Sequence, residues 1–114
     1  MHSDRAIAAF AALAQPTRLE VVRLLVTAEP TGLLAGEIGN QLGVRQNTMS
    51  ANLAVLLNAG LIRNRREGRT VRYFADLDGL RSLIEFLMRD CCGGRPELCQ
   101  QVLDAFQPKA AVPT

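Results

Sequence analysis

Apolar residues recur every three or four positions through most of the chain, the spacing of one face of an α-helix. The pattern predicts a first helix around Ile7 and Phe10 and a second that begins at Pro16, where a missing amide proton does no harm. Thr17 and Glu20 have the spacing of a capping box for the second helix. The predicted apolar stripe of that helix is Leu19, Val22 and Leu25 or Val26.

A break at residues 29–32 leads to a short helix, a turn at Gly43 and a longer helix. The longer helix is predicted over residues 46–58 and is stopped by Gly60. Its apolar stripe is Met49, Leu53, Leu56 and Leu57. Two helices joined by a short turn that contains Gly, the second polar along one side, are typical of a helix-turn-helix.

The helical spacing of apolar residues stops after Gly60, and the two short runs that follow predict a β-hairpin. Residues 61–65 and 70–74 form its strands, with Gly68 in the intervening turn. Residues 76–79 are predicted as a second turn. A further helix opens at Leu80 with apolar positions at Leu83, Ile84, Leu87 and Met88. A last helix is predicted over residues 97–106, so the fold class is mainly α with a small β-hairpin.

Length and composition favour one globular domain. The chain has 114 residues, of which 48% are hydrophobic and 21% charged, and this is an ordinary composition for a single folded unit. The domain is predicted over residues 1–107, with a flexible tail at residues 108–114. The segment from Arg5 through residues 6–14 resembles a weak signal peptide. We reject this interpretation because the segment is Ala-rich and Asp4 stands beside its one arginine. No apolar run is long enough for a membrane span, so we expect a cytoplasmic protein.

Charge is concentrated in the centre of the chain. Between Asn40 and Phe74 six arginines stand against one glutamate, a net charge of +5 within a total of +2. Because arginine binds phosphate and guanine bidentately, the hairpin arginines Arg65, Arg66 and Arg69 are predicted DNA contacts. A solvated hairpin face is the alternative for the same charges.

The predicted longer helix carries short polar side chains opposite its apolar stripe. Amides and hydroxyls of this size can enter a major groove and bond base edges or phosphates. The predicted contacts to double-stranded DNA from this region are Arg45, Gln46, Asn47, Thr48 and Ser50. A surface helix that is merely solvated would also carry such residues, but the basic hairpin that follows favours the DNA-binding interpretation.

Four motifs resemble the ArsR/SmtB metalloregulators, which are dimeric winged-helix repressors. They are LAQPTRL at residues 13–19, LGVRQNTMS at 42–50, AGLI at 59–62 and REGR at 66–69. The resemblance implies a winged helix-turn-helix homodimer on a pseudo-palindromic operator, with half-sites about one helical turn apart. It also implies that the first helix and the Leu80 helix form the dimer. The residues expected in that interface are Ile7, Phe10, Leu83, Ile84 and Leu87.

The chain departs from the family at its known metal sites. The stretch that aligns with the arsenic-binding Cys-Val-Cys is 34–36, Leu-Ala-Gly, and the zinc sites on the dimer helix need histidine, whereas the chain's single histidine is His2. The family often has Ser where Arg45 stands and His where Asn52 stands. These two changes predict a weaker cap on the recognition helix and leave its base contacts open.

Cys91, Cys92 and Cys99 lie within nine residues of one another. Three thiolates favour soft ions, and As(III) or Sb(III) forms three bonds in a pyramid, which three sulfurs complete. The glycines at 93 and 94 allow the chain to turn back, and Arg95 favours the thiolate form of Cys99. Members of the family that lack the Cys-Val-Cys box can carry such a C-terminal cysteine group as their arsenite site. We therefore predict As(III) or Sb(III) as effector and no constitutive cofactor.

Other interpretations of the cysteines remain open. They could be small buried residues, a thiol-redox switch, or ligands of a soft metal such as Cd, Pb or Zn. An enzyme with a cysteine nucleophile is disfavoured, because no evident base accompanies the thiols. A metal-storage or protein-interaction module would leave the arginine-rich hairpin unexplained.

Overall fold

The computed structural model describes residues 1–91 together with Gln101 and Asp104, which are both helical. The remainder of the predicted last helix and the predicted tail lie outside the described residues. Within the described part, the chain forms five helices and a three-stranded sheet. None of these helices has the length and hydrophobicity that a membrane span requires. The helices are α1 (Ser3–Leu13), α2 (Pro16–Thr27), α3 (Ala35–Leu42), α4 (Gln46–Asn58) and α5 (Leu77–Cys91). The strands are β1 (Leu33–Leu34), β2 (Ile62–Glu67) and β3 (Thr70–Ala75).

One hydrophobic core connects all five helices to the sheet. Its fully buried side chains include Leu25 of α2, Ile38 of α3 and Leu53 of α4. The fully buried residues of helix α1 are all small, Ala6, Ala9 and Ala12, so it packs closely on its neighbours. The short side chains bring α1 against both α2 and α4.

Helix α2 begins at Pro16 as predicted, but its cap is different. Gln15 precedes the helix with an extended backbone, and its Oε1 accepts from the Arg18 amide at 2.7 Å. The predicted capping box of Thr17 and Glu20 is wrong, because Thr17 already lies inside the first turn. Glu20 pairs instead with Arg23. The predicted stripe is also shifted: Val21, Val22 and Leu25 are buried, whereas Leu19 and Val26 are exposed.

The helix-turn-helix forms where the sequence predicts it. Helix α3 ends at Leu42 and is followed by Gly43, whose φ of +65° is the left-handed conformation that glycine adopts without strain. The amide of Val44 donates to the Gly39 carbonyl and closes the turn. Helix α4 has the predicted bounds, with Met49, Leu53 and Leu56 buried and Leu57 half-buried.

The sheet has a strand that the sequence pattern did not predict. β1 pairs antiparallel with β3, Leu33 opposite Tyr73, and β3 pairs with β2 in the order β1-β3-β2. The expected two-stranded hairpin is therefore the outer part of a three-stranded sheet. Gly32 permits this pairing, because its φ is +72° and a Cβ there would lie 2.5 Å from the Tyr73 carbonyl oxygen.

Helix α5 begins at Leu77, three residues before the predicted start, and this corrects the turn predicted at residues 76–79. The Asp76 carboxylate accepts from the Gly79 amide at 2.9 Å and so satisfies a donor of the first turn. Leu83, predicted at the dimer interface, is 3% exposed and belongs to the protomer core. The earlier start does not change the predicted outward position of Leu87.

Candidate nucleic-acid interface

Helix α4 exposes short polar side chains at its N-terminal end. Every predicted contact on it is exposed, while Met49 and Leu53 on the opposite side are buried. The exposed residues in the first two turns are Gln46, Asn47, Thr48, Ser50 and Ala51, and further along the helix Ala54, Val55 and Asn58 are exposed as well. The core therefore holds α4 by one side and leaves the short polar side chains available to a major groove.

Arg45 occupies the N-cap position of α4 and makes no side-chain capping hydrogen bond. Serine, which often stands at this position in ArsR/SmtB proteins, accepts from the amides of the first turn. Arg45 has no acceptor to offer, so the expected weaker cap is present. Its exposed guanidinium instead adds a positive charge beside the start of the helix.

Two arginines of the hairpin are held by Glu67. Arg65 donates to Glu67 Oε2 from Nη2 at 2.5 Å and from Nε at 3.1 Å, and Arg72 Nε lies 3.0 Å from the same oxygen. The hydrogen bonds from Arg65 and then Arg72 hold the pKa of Glu67 below its usual value. Glu67 is a missed residue of the site; its position two residues after Arg65, on the same face of β2, was the available signal.

The same face of the sheet carries an aromatic residue under two guanidinium groups. Phe74 is buried, with the Arg63 guanidinium carbon 4.5 Å and that of Arg65 5.2 Å from its ring centroid. The register places Arg63 directly opposite Phe74 and Arg65 opposite Arg72. Arg65 therefore has two partners within its own hairpin.

Three exposed arginines of the basic segment have no such partners. Among the described residues, they make no hydrogen bond, ion pair or ring contact; they are Arg45, Arg66 and Arg69. Arg66 lies near the end of β2, and Arg69 follows Gly68 in the two-residue turn. The predicted site thus forms two groups, one at the start of α4 and one at the hairpin tip.

A separate apolar surface lies on α1 and α5, which pack against each other. Ile7 is 65% exposed, Phe10 41% and Leu87 41%, although α1 turns its alanines inward. A helix that buries small residues and exposes large apolar ones is typical of an interface between chains.

The predicted effector site begins where α5 ends. Cys91 is the last residue of α5, and its side chain lies outside the described residues, as do Cys92 and Cys99. Within the described part of the chain, no group of three or more His, Cys, Asp or Glu residues could hold a metal ion. The three-cysteine site remains a prediction.

A helix-turn-helix with an exposed polar second helix, followed directly by a basic hairpin, defines a winged-helix transcription regulator that binds DNA. Comparison with known proteins agrees. Residues 13–65 match a helix-turn-helix domain family. The chain is 32% identical over 91 residues to the transcriptional activator HlyU of Vibrio cholerae, across 80% of this chain and 82% of that protein. The chain belongs to the ArsR/SmtB family of winged helix-turn-helix transcription regulators.

Solved structures and a second relative support this assignment. The structure of HlyU from Vibrio cholerae has a TM-score of 0.62 at 30% identity, covering 81% of this chain and 99% of that one. The homodimeric winged domain Mb0332 from Mycobacterium bovis, a possible ArsR-family regulator, has a TM-score of 0.62 at 28% identity, over 82% and 83% of the chains. The probable mercury resistance operon repressor of Streptomyces lividans is 33% identical over 72 residues, 63% of this chain and 55% of that protein.

Proposed function

We propose that this regulator is a homodimeric repressor that binds operator DNA and releases it when As(III) or Sb(III) binds Cys91, Cys92 and Cys99. The observation that carries the proposal is the position of the cysteines. They begin at the last residue of α5, the helix whose outward side carries the exposed Leu87. A ligand that joins these thiols acts at the end of an expected dimer helix.

The DNA-binding part of the proposal rests on the two groups of exposed residues. The start of α4 supplies Gln46, Asn47 and Ser50 for base edges, and Arg66 and Arg69 supply charge for phosphates or the minor groove. Arg65 has a smaller role than predicted, because Glu67 competes with DNA for its guanidinium.

The dimer follows from the apolar surface of α1 and α5. A second copy that covers Ile7, Phe10 and Leu87 removes large hydrophobic side chains from water. The winged-helix domain from Mycobacterium bovis is homodimeric, which supports a dimer. Two copies of α4 then face DNA together, and each reads one half-site.

The effector chemistry follows from the thiols. Arsenous acid and three thiols form three As–S bonds and release three waters, so no oxidant or reductant is needed. Hydroxyl groups are too hard to replace thiolates on As(III). The mercury repressor among the relatives is named for another thiophilic ion, which supports a soft effector. For a useful switch, effector binding must weaken DNA binding by a coupling free energy of about 1 to 3 kcal/mol.

The test titrates arsenite into the reduced protein bound to the DNA upstream of its own gene, with fluorescence anisotropy as readout. Each single Cys→Ser variant should bind this DNA like the parent but release it only at much higher arsenite. X-ray absorption at arsenic should show three sulfur ligands. Arg66→Ala is the matched control, because it should weaken DNA binding without changing arsenite stoichiometry.

Two outcomes would replace the proposed effector. Release by peroxide without any metalloid, with only two cysteines required, indicates a thiol-redox switch. Release by Cd, Pb or Zn but not by arsenite indicates a soft-metal sensor. Fewer than three sulfurs around arsenic, or a full arsenite response in the Cys99→Ser variant, contradicts the three-cysteine site.

A further inference from the structure

Arg18 connects two helices to which the proposed function gives different roles, α1 in the dimer and α4 in DNA binding. Its side chain extends from the first turn of α2 to the end of α1, where Nε donates to the Ala12 carbonyl at 2.6 Å. Nη2 lies 3.5 Å from the Ala11 carbonyl, and Nη1 donates to Asn52 Oδ1 on α4 at 3.4 Å. One planar guanidinium therefore contacts both the helix with the exposed apolar side and the recognition helix.

Asn52 is unusual among the residues that anchor α4. It is 7% exposed and stands between Met49 and Leu56 on the buried side, where every other anchor is hydrophobic. Hydrophobic contacts hold α4 against the core without fixing its rotation strongly, because they are non-directional. A hydrogen bond from a rigid guanidinium fork adds a directional constraint.

We propose that Arg18 is a positioning residue that sets the orientation of α4 relative to α1 through Asn52. This inference rests on the proposed DNA-binding dimer. Since α1 lies in the expected dimer interface, the orientation of α4 on α1 determines how far apart the two copies of α4 lie. Arg18 thereby selects the spacing of the two half-sites without touching DNA.

A purely structural role makes a different demand. Arg18 also ends α1 by donating to its last carbonyls, and this contribution to stability does not need Asn52. Asn52→Ala removes only the link to α4 and leaves the α1 contacts in place. The two roles are therefore separable by a variant on α4.

The experiment measures binding to duplexes that carry two half-sites. The half-sites are taken from the segment of upstream DNA that the bound protein protects in a footprint. Their centre-to-centre spacing varies in single base-pair steps around one helical turn of about 10 base pairs. The parent should prefer one spacing. Asn52→Ala should reduce that preference about tenfold while its affinity for a duplex with one half-site changes less than about twofold.

Two further variants make the result specific. Asn52→Asp should restore the spacing preference, because a carboxylate accepts from the guanidinium. Asn58→Ala is the matched control, since Asn58 is an exposed amide at the end of the same helix. If Asn52→Ala does not fold, Arg18→Lys keeps the charge, loses the fork and should broaden the spacing profile in the same way.

An unchanged spacing profile in a folded Asn52→Ala or Arg18→Lys variant overturns the inference and leaves Arg18 as a stabiliser of the α1–α2 turn. An equal loss of affinity for one half-site and for two also overturns it. A parent protein that binds every duplex like random DNA contradicts the proposed function instead, before any variant is compared.

Discussion

The salt dependence of DNA binding distinguishes arginines that face DNA from arginines held within the protein. In the described residues, three arginines of the basic segment have no partner and three have at least one. Two protomers would thus offer six unpartnered arginines to phosphates, and six contacts give a slope of log K against log salt of about −5.4. The unpartnered set is Arg45, Arg66 and Arg69; the partnered set is Arg63, Arg65 and Arg72.

Arg66→Ala removes one contact from each protomer and should change the slope to about −3.6. Between about 50 and 200 mM salt, the affinity of the parent should then fall about 2,000-fold and that of the variant about 150-fold. Arg65→Ala is the matched control, because Arg65 is the adjacent residue of β2 but is already paired with Glu67. Its slope should stay within about 0.5 of the parent value.

The assay is fluorescence anisotropy of labelled duplexes at several salt concentrations, with upstream DNA and a scrambled duplex compared. Arg66→Ala should weaken binding to both duplexes equally, since phosphate contacts carry no sequence information. Thermal unfolding checks that each variant is folded. If the slope for Arg65→Ala were as shallow as that for Arg66→Ala, the division between partnered and unpartnered arginines would be refuted.

Three further predictions concern the dimer, the hairpin and the recognition helix. Leu87→Glu should give monomers in sedimentation, because it places an unpaired charge in the expected interface. Leu19→Glu, at a similarly exposed position on α2, should stay dimeric. A dimeric Leu87→Glu protein would move the interface elsewhere. Because the folded pKa of Glu67 is lowered, its contribution to stability is present above the usual glutamate pKa and is lost as pH falls through the lowered value. Unfolding of Glu67→Gln should lack this acid-side loss, and identical pH profiles for variant and parent would contradict the pairing. Arg45→Ser should raise the free energy of unfolding by about 1 kcal/mol through a side-chain cap, and chemical denaturation that shows no gain would contradict the uncapped α4.

The predictable parts of the fold are those whose signals are local. Helix α4 has the predicted bounds, because its apolar stripe, the preceding Gly43 and the following Gly60 all lie within one short segment. The hairpin is similarly local, since its strands are joined by a tight turn at Gly68. The exposure of the predicted α4 contacts follows from the same stripe, which leaves only one side of the helix for solvent.

The missed features depend on residues that are distant in sequence. Strand β1 contains two leucines, too few to show alternation, and it exists because Gly32 allows a close approach to β3. The buried Asn52 has its hydrogen-bond partner, Arg18, on another helix. No periodicity within α4 distinguishes an amide that faces the core from one that faces DNA.

Counting arginines overstates the charge that the hairpin offers to DNA. The basic segment has six arginines, but its one glutamate, Glu67, pairs with both Arg65 and Arg72. Each of these pairs must loosen before its arginine can bind a phosphate, whereas Arg66 and Arg69 have no such pair to break. Glu67 therefore concentrates the phosphate-binding capacity of the wing at its tip. In the proposed DNA-binding role, the same pairing would reduce nonspecific attraction to DNA and leave a larger share of the binding free energy to base contacts of α4, as a regulator that must find one operator requires.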